Sequence, residues 1–193
     1  MNSSILDSVV LEESYSSRLR EVYKLPSSPR TLDELAQLWN LGYSKRFAYE
    51  RGKQVFESLK RGDMVYGETK AETRHVVQLR GREKVHVNCA IDALIEGFFQ
   101  DLDIESSCPH CKDGISIQMV ARRVASAVPE SAVLWLGISP HGEGPTVEVL
   151  CPFINFFTSE DHARHWHEKN PEQVGVLLTL SLALGFISKA LSI

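Results

Sequence analysis

A thiol and a carboxyl group lie three residues apart in an apolar segment, residues 88–95, which reads Asn-Cys-Ala-Ile-Asp-Ala-Leu-Ile. The apolar pattern predicts a helix over residues 89–99. On a helix, positions i and i+3 share a face, so the side chains of Cys89 and Asp92 should point the same way. A buried thiol beside a buried acid is costly unless chemistry requires the pair. We therefore treat Cys89 and Asp92 as candidate catalytic residues.

A second thiol, Cys151, is expected at the end of a strand-like segment, residues 146–150. Two thiolates that converge select soft metals such as Hg(II), Cu(I), Zn and Cd. A carboxyl group within reach adds a proton donor and acceptor. Such a trio could hold a soft metal that is bonded to carbon and protonate the carbon as it leaves.

Two segments of the chain resemble the cysteine motifs of bacterial organomercurial lyases, also called alkylmercury lyases. Residues 88–95 are similar to the family's Cys-Ala-x-Asp-x-Leu motif, and residues 150–157 are similar to its second motif, a Cys before an apolar run ending in Phe-Phe. The acidic helix start at residues 159–161 also fits the family. The resemblance covers roughly residues 30–187, and about 60 residues separate the two cysteines.

The resemblance implies that Cys89, Asp92 and Cys151 carry out carbon–mercury bond protonolysis and that all three contact the Hg(II) product. It implies no required cofactor, a role in mercury resistance, and transfer of Hg(II) to small thiols or to a mercuric reductase. Three differences from the family stand out. Asn88 replaces an aromatic residue, Pro152 replaces a second adjacent cysteine, and two cysteines, at 108 and 111, follow the first helix where one is usual.

Residues 108–111, Cys-Pro-His-Cys, admit several interpretations. The C-x-x-C spacing is typical of half a zinc site, which Cys89 and Cys151 could complete as a Cys₄ site. Alternatively, Cys108 and Cys111 bind zinc by themselves, or relay mercury. A thioredoxin-type redox motif has the same spacing, but no βαβ unit precedes it.

Three histidines follow on one predicted helix, at positions 162, 165 and 167. His162 and His165 lie one turn apart and could bind a metal. The simpler interpretation is that they face solvent, because the rest of that helix is polar.

The N-terminal half is predicted to be winged-helix-like. A capping box at residues 31–34 begins one helix, Ser44 can cap a second, and strand-like runs at 64–66 and 75–79 follow. One alternative function is therefore a metal-sensing DNA-binding regulator. Its second helix carries the basic side chains Lys45, Arg46, Arg51 and Lys53. Acidic residues on the same helix favour a solvated face instead, so we do not expect DNA as a partner.

Composition describes an ordinary globular chain of 193 residues, with 43% hydrophobic and 24% charged residues and a net charge of −4. Residues 30–84 hold 12 basic and 8 acidic side chains, whereas the rest is strongly acidic. We predict an α+β protein with an N-terminal helix and linker (1–29), a winged-helix-like domain (30–80) and a mixed-sheet catalytic domain with flanking helices (81–193).

The sequence argues against a secreted or membrane protein. Residues 1–7 lack the basic and apolar regions of a secretory signal, so we expect reduced thiols in the cytoplasm. The uncharged segment 174–187 has 14 residues, fewer than the roughly 20 that cross a bilayer. We predict that it forms a core helix.

Overall fold

The structure, a computed structural model, describes residues 5–47 and 50–191; for residues 41–47, 50–53, 55, 56 and 146 it describes the backbone alone. The α-helices are α1 (Glu13–Tyr23), α2 (Leu32–Phe47), α3 (Glu50–Arg61), α4 (Ala90–Glu96), α5 (Thr146–Val149), α6 (Glu160–Lys169) and α7 (Leu180–Leu191). The strands are β1 (Glu68–Thr69), β2 (Val76–Leu79), β3 (Val85–Val87), β4 (Leu102–Ser107), β5 (Gly114–Val120), β6 (Arg123–Val128), β7 (Val133–Ile138), β8 (Ile154–Phe157) and β9 (Val174–Thr179).

The strands form two antiparallel sheets. The larger has the order β1-β3-β2-β4-β5-β6, and the smaller has β7 between β8 and β9. Buried and exposed residues alternate along β4 and β5, as expected for a sheet with one solvated face. Every residue of β7 and β8 is buried, which explains their nearly continuous apolar sequences. The predicted α+β class is therefore confirmed, with antiparallel pairing throughout the described strands in place of the expected mixed sheet.

The helices cover the smaller sheet and join the N-terminal segment to the C-terminus. Helix α2 packs on α7. At this contact the rings of Trp39 and Phe186 lie edge to face, with their centroids 4.9 Å apart. Lys189 of α7 forms an ion pair with the buried carboxylate of Asp33. The N-terminal helices therefore pack against elements near the chain's other end.

Two secondary-structure predictions for the C-terminal half of the chain are wrong. Residues 174–187 form strand β9 followed by helix α7 rather than one helix. β9 pairs along its whole length with β7, and this pairing overrides the helical pattern of an apolar run. Residues 146–149 form a helical turn, α5, rather than a strand. No helix among the described residues is long and apolar enough to cross a membrane.

The N-terminal prediction needs smaller corrections. Residues 64–66 lie in a loop rather than in the predicted strand-like run. The predicted cap at Thr31 is present, because the backbone N–H of Glu34 donates to the Thr31 hydroxyl oxygen at 3.2 Å. Two helices followed by β-strands are present, and the winged-helix interpretation stays a prediction. The side chains of the predicted basic group, Lys45, Arg46, Arg51 and Lys53, lie outside the described part of the chain.

Arg18 of α1 anchors the loop that leads towards Cys151. Its side chain is buried, its Nε donates to the carbonyl of Ser139 at 2.7 Å, and it also donates to the carbonyl of Gly142. An ion pair with Glu21 fixes the guanidinium. The predicted N-terminal helix thus holds a loop of the C-terminal half of the chain.

We expect Arg18→Ala to lower the free energy of unfolding by about 2 kcal/mol, because the carbonyls of Ser139 and Gly142 lose a charged donor. Urea denaturation followed by circular dichroism measures the change. Arg20→Ala is the matched control, since Arg20 is exposed on the same helix and its loss should cost within about 0.5 kcal/mol. Equal effects of the two substitutions would contradict the anchoring role.

Candidate active site

Cys89 and Asp92 share the first turn of α4. Cys89 is the N-cap residue, with φ −156° and ψ 173°, rather than a residue inside the helix as predicted. Asp92 follows at the third helical position. N-cap and N3 side chains lie on the same side of a helix start, so the predicted convergence survives the correction. All seven residues of α4 and the N-cap residue Cys89 are buried, which places both groups in the core.

Cys151 reaches the same place from the other sheet. It begins a short 3-10 helix, Cys151–Phe153, which leads directly into β8, and β8 packs against α4. The Cys151 Sγ donates to the Asp92 Oδ2 at 3.9 Å. Ligand atoms of Cys89, Asp92 and Cys151 all lie within 4.8 Å of one another. The structure thus brings together the three residues that the sequence singled out.

The trio is almost closed to solvent. The exposed fractions are 1% for Cys89, 8% for Asp92 and 9% for Cys151. Burial raises the pKa of Cys89 well above its ordinary value, and a hydrogen bond with Cys151 and the charge of Asp92 add to the increase. Cys89 is therefore a protonated thiol at neutral pH.

Gly67 closes the site over Asp92, a contact that no sequence motif indicated. Its φ is +69°, and a Cβ built on it would lie 2.6 Å from the Asp92 Cγ. Asn88 holds this glycine in place, because its Nδ2 and backbone N–H donate to the Gly67 carbonyl at 2.8 and 2.9 Å. Asn88, which stands where the family commonly has an aromatic residue, thus connects the loop that carries Gly67 to the start of α4.

Glu96 supports the same loop from the last turn of α4. Its side chain is fully buried, and its Oε2 accepts a hydrogen bond from the backbone N–H of Tyr66 at 2.7 Å. Its Oε1 has no partner within the described part of the chain. Burial raises its pKa to about 7, although the Tyr66 bond acts in the opposite direction. Sequence reasoning missed this residue because a lone Glu in an apolar run carries no motif.

The remaining two cysteines form a separate group. Cys108, Cys111 and His162 bring their ligand atoms within 4.8 Å of one another, apart from the trio. The predicted Cys₄ site with Cys89 and Cys151 is therefore wrong. Among the described residues, no group of three or more metal-ligating side chains includes His165, and the pairing of His162 with His165 stays a prediction.

The pKa values of the two thiols are shifted in opposite directions from their ordinary value. Burial acts to raise the pKa of Cys108, but hydrogen bonds from the backbone of Cys111 and Thr158 outweigh it and lower the pKa. Burial raises the pKa of Cys111. The motif lies in the turn between antiparallel strands β4 and β5, which is not the strand–helix junction of a thioredoxin-type site.

Two buried thiols around one carboxyl group form a donor set that suits a soft metal. The alkylmercury lyase (MerB) family model matches residues 69–191. The chain therefore belongs to the alkylmercury lyase family and is an organomercurial lyase, which confirms the resemblance seen in the sequence.

Structural comparison agrees with this assignment. The fold is similar to the crystal structure of the mercury-bound form of MerB2, with a TM-score of 0.55 and 21% identity over 94% of this chain and 92% of that chain. At this level of identity the likeness shows a shared fold. No curated protein matches the sequence.

We expect Gly67→Ala to reduce lyase turnover strongly, because the new Cβ would displace the Asp92 carboxyl group. Steady-state rates of hydrocarbon release from an arylmercury substrate measure the effect. Gly81→Ala is the matched control: Gly81 has a similar φ of +72° but nothing within 4 Å of its Cβ position. It carries the same backbone strain, about 1 kcal/mol, without the clash. Similar rates in the two variants would contradict the proposed contact.

The raised pKa of Glu96 predicts a pH-dependent stability. A carboxyl group whose pKa is higher in the folded state binds its proton more tightly there than in the unfolded state. Its contribution to stability is therefore greatest at low pH, where the group is protonated. That contribution falls as the pH rises from 4.5 to about 7. The wild type should therefore lose stability relative to Glu96→Gln between about pH 5 and pH 8. Urea denaturation at both pH values tests this, with the exposed Glu130→Gln as control. Parallel pH profiles of wild type and Glu96→Gln would refute it.

Proposed function

We propose that Cys151, Asp92 and Cys89 together cleave the carbon–mercury bond of an organomercury cation, R–Hg⁺, and retain Hg(II). One observation carries the proposal: ligand atoms of two thiols and one carboxyl group lie within 4.8 Å in a buried site of a chain that belongs to this family. Two sulfurs suit the linear coordination of mercury, and the carboxyl group supplies the proton.

Cys151 is the thiol that meets the substrate first. It is the more exposed of the two, and its Sγ already donates to Asp92. As its sulfur bonds to mercury, its proton moves along this contact to the Asp92 carboxylate. Asp92 thereby becomes the acid for the next step, in a buried site from which most water is excluded.

Cys89 then donates to mercury from a second direction and weakens the carbon–mercury bond. The electron pair of that bond takes the proton of Asp92, and the hydrocarbon R–H leaves. The proton of Cys89 moves to the freed carboxylate and from there to solvent. One R–Hg⁺ and two thiols thus give R–H, one Hg(II) dithiolate and one proton.

Release of Hg(II) requires a competing thiol, because the ion is held by two sulfurs. Small thiols or a mercuric reductase are the acceptors that we propose. Both the site and the acceptors need reduced thiols, which favours the cytoplasm as the compartment of the reaction.

The direct test is incubation with phenylmercury and excess thiol, followed by measurement of released benzene. The wild type should release benzene catalytically. Cys89→Ala and Cys151→Ala should lower turnover by roughly 1,000-fold or more, because each removes a bond to mercury. Asp92→Ala should still bind mercury but release little benzene.

The exposed acid Asp103 of β4 provides a matched control, and Asp103→Ala should retain full turnover. Full activity in any of the three site variants would reject the role assigned to that residue. Tight mercury binding without benzene from the wild type would mean that the site sequesters or senses the metal.

A further inference from the structure

The turn between β4 and β5 presents two thiols side by side. The backbone N–H of Cys108 donates to the Asp113 carbonyl at 2.9 Å, and the N–H of Lys112 donates to the Cys108 carbonyl at 3.0 Å. Lys112 has φ +68°, which closes the turn. These bonds fold the C-x-x-C segment into a compact loop with a fully buried Cys108 and a half-buried Cys111. Such a loop is a common half-site for zinc.

His162 reaches this loop from the first turn of α6. Its backbone N–H is capped by the Ser159 hydroxyl at 3.2 Å, and its Nδ1 lies 2.6 Å from the Thr158 Oγ1. The same hydroxyl lies 3.6 Å from the Cys111 Sγ. The Nδ1 contact fixes the orientation of the imidazole ring beside the two thiols, as hydrogen-bond partners do for histidine ligands.

The spacing of the ligand atoms suits a metal. They lie within 4.8 Å of one another, whereas zinc bonds of about 2.3 Å to sulfur and about 2.0 Å to nitrogen need separations of about 4 Å. Side-chain rotations that move these atoms by about 1 Å are therefore enough. The donor set is also distinct from the mercury site, because imidazole replaces the carboxyl group.

We propose that Cys108, Cys111 and His162 bind a zinc ion that joins the β4–β5 turn to the start of α6. Two thiolates and one imidazole are a donor set that zinc favours, and water fills the fourth position. The site lies beyond the end of β8, the strand whose other end follows Cys151. Zinc thus fixes the far end of a strand that leads from the mercury site.

The test is the zinc content of protein expressed without mercury, purified without a histidine tag and analysed by mass spectrometry. Wild type should contain equimolar zinc, whereas Cys111→Ser and His162→Gln should contain less than a tenth of that amount. Both substitutions are at partly exposed positions, which limits damage to the fold. His165→Gln is the matched control, exposed on the same helix, and should keep its zinc.

Two further measurements separate this site from the mercury site. The double variant Cys89→Ser, Cys151→Ser should keep equimolar zinc. A chelator should lower the melting temperature of the wild type by about 5 °C and leave that of His162→Gln unchanged. Wild type without zinc after growth in zinc-supplemented medium, or equal zinc in wild type and His162→Gln, would overturn the proposal. Loss of zinc in the Cys89→Ser, Cys151→Ser double variant alone would also overturn the proposal.

Discussion

The burial of two thiols and one carboxyl group in a single small space is the constraint on which the rest of the structure depends. Polar groups taken out of water destabilise a fold unless their partners are fixed. Here the Cys151 Sγ donates to Asp92, and Cys89 stands at the N-cap of a helix that is buried along its whole length. The same burial keeps the Cys89 proton in place and leaves sulfur available for a soft metal.

Both sheets and the N-terminal segment contribute to holding this arrangement. Cys89 and Asp92 come from the helix after β3, Cys151 from the turn before β8, and Gly67 from the loop before β1. Gly67 contacts Asp92 although it precedes the family match, which begins at residue 69. Arg18, also outside the match, holds the loop towards Cys151. The site is therefore a product of the whole fold rather than of the family's two cysteine motifs alone.

Strand β8 connects two groups of soft ligands. Cys151 lies just before it, and Thr158, which touches Cys111 and His162, lies just after it. Every residue of β8 is buried and its backbone pairs with β7, so the strand is a packed element between the two groups.

The sequence by itself indicated the α+β class, the capped start of α6 and, through its resemblance to a known family, the candidate trio Cys89, Asp92 and Cys151. These depend on local patterns, namely periodicity, capping residues and motif spacing, which act within a few residues. Tertiary structure alone decided that residues 174–179 join β7 as a strand, that Gly67 covers Asp92, that Glu96 is buried, and that His162 pairs with Cys108 and Cys111. Each of these depends on residues far apart in the chain, and such contacts follow from packing rather than from local preference.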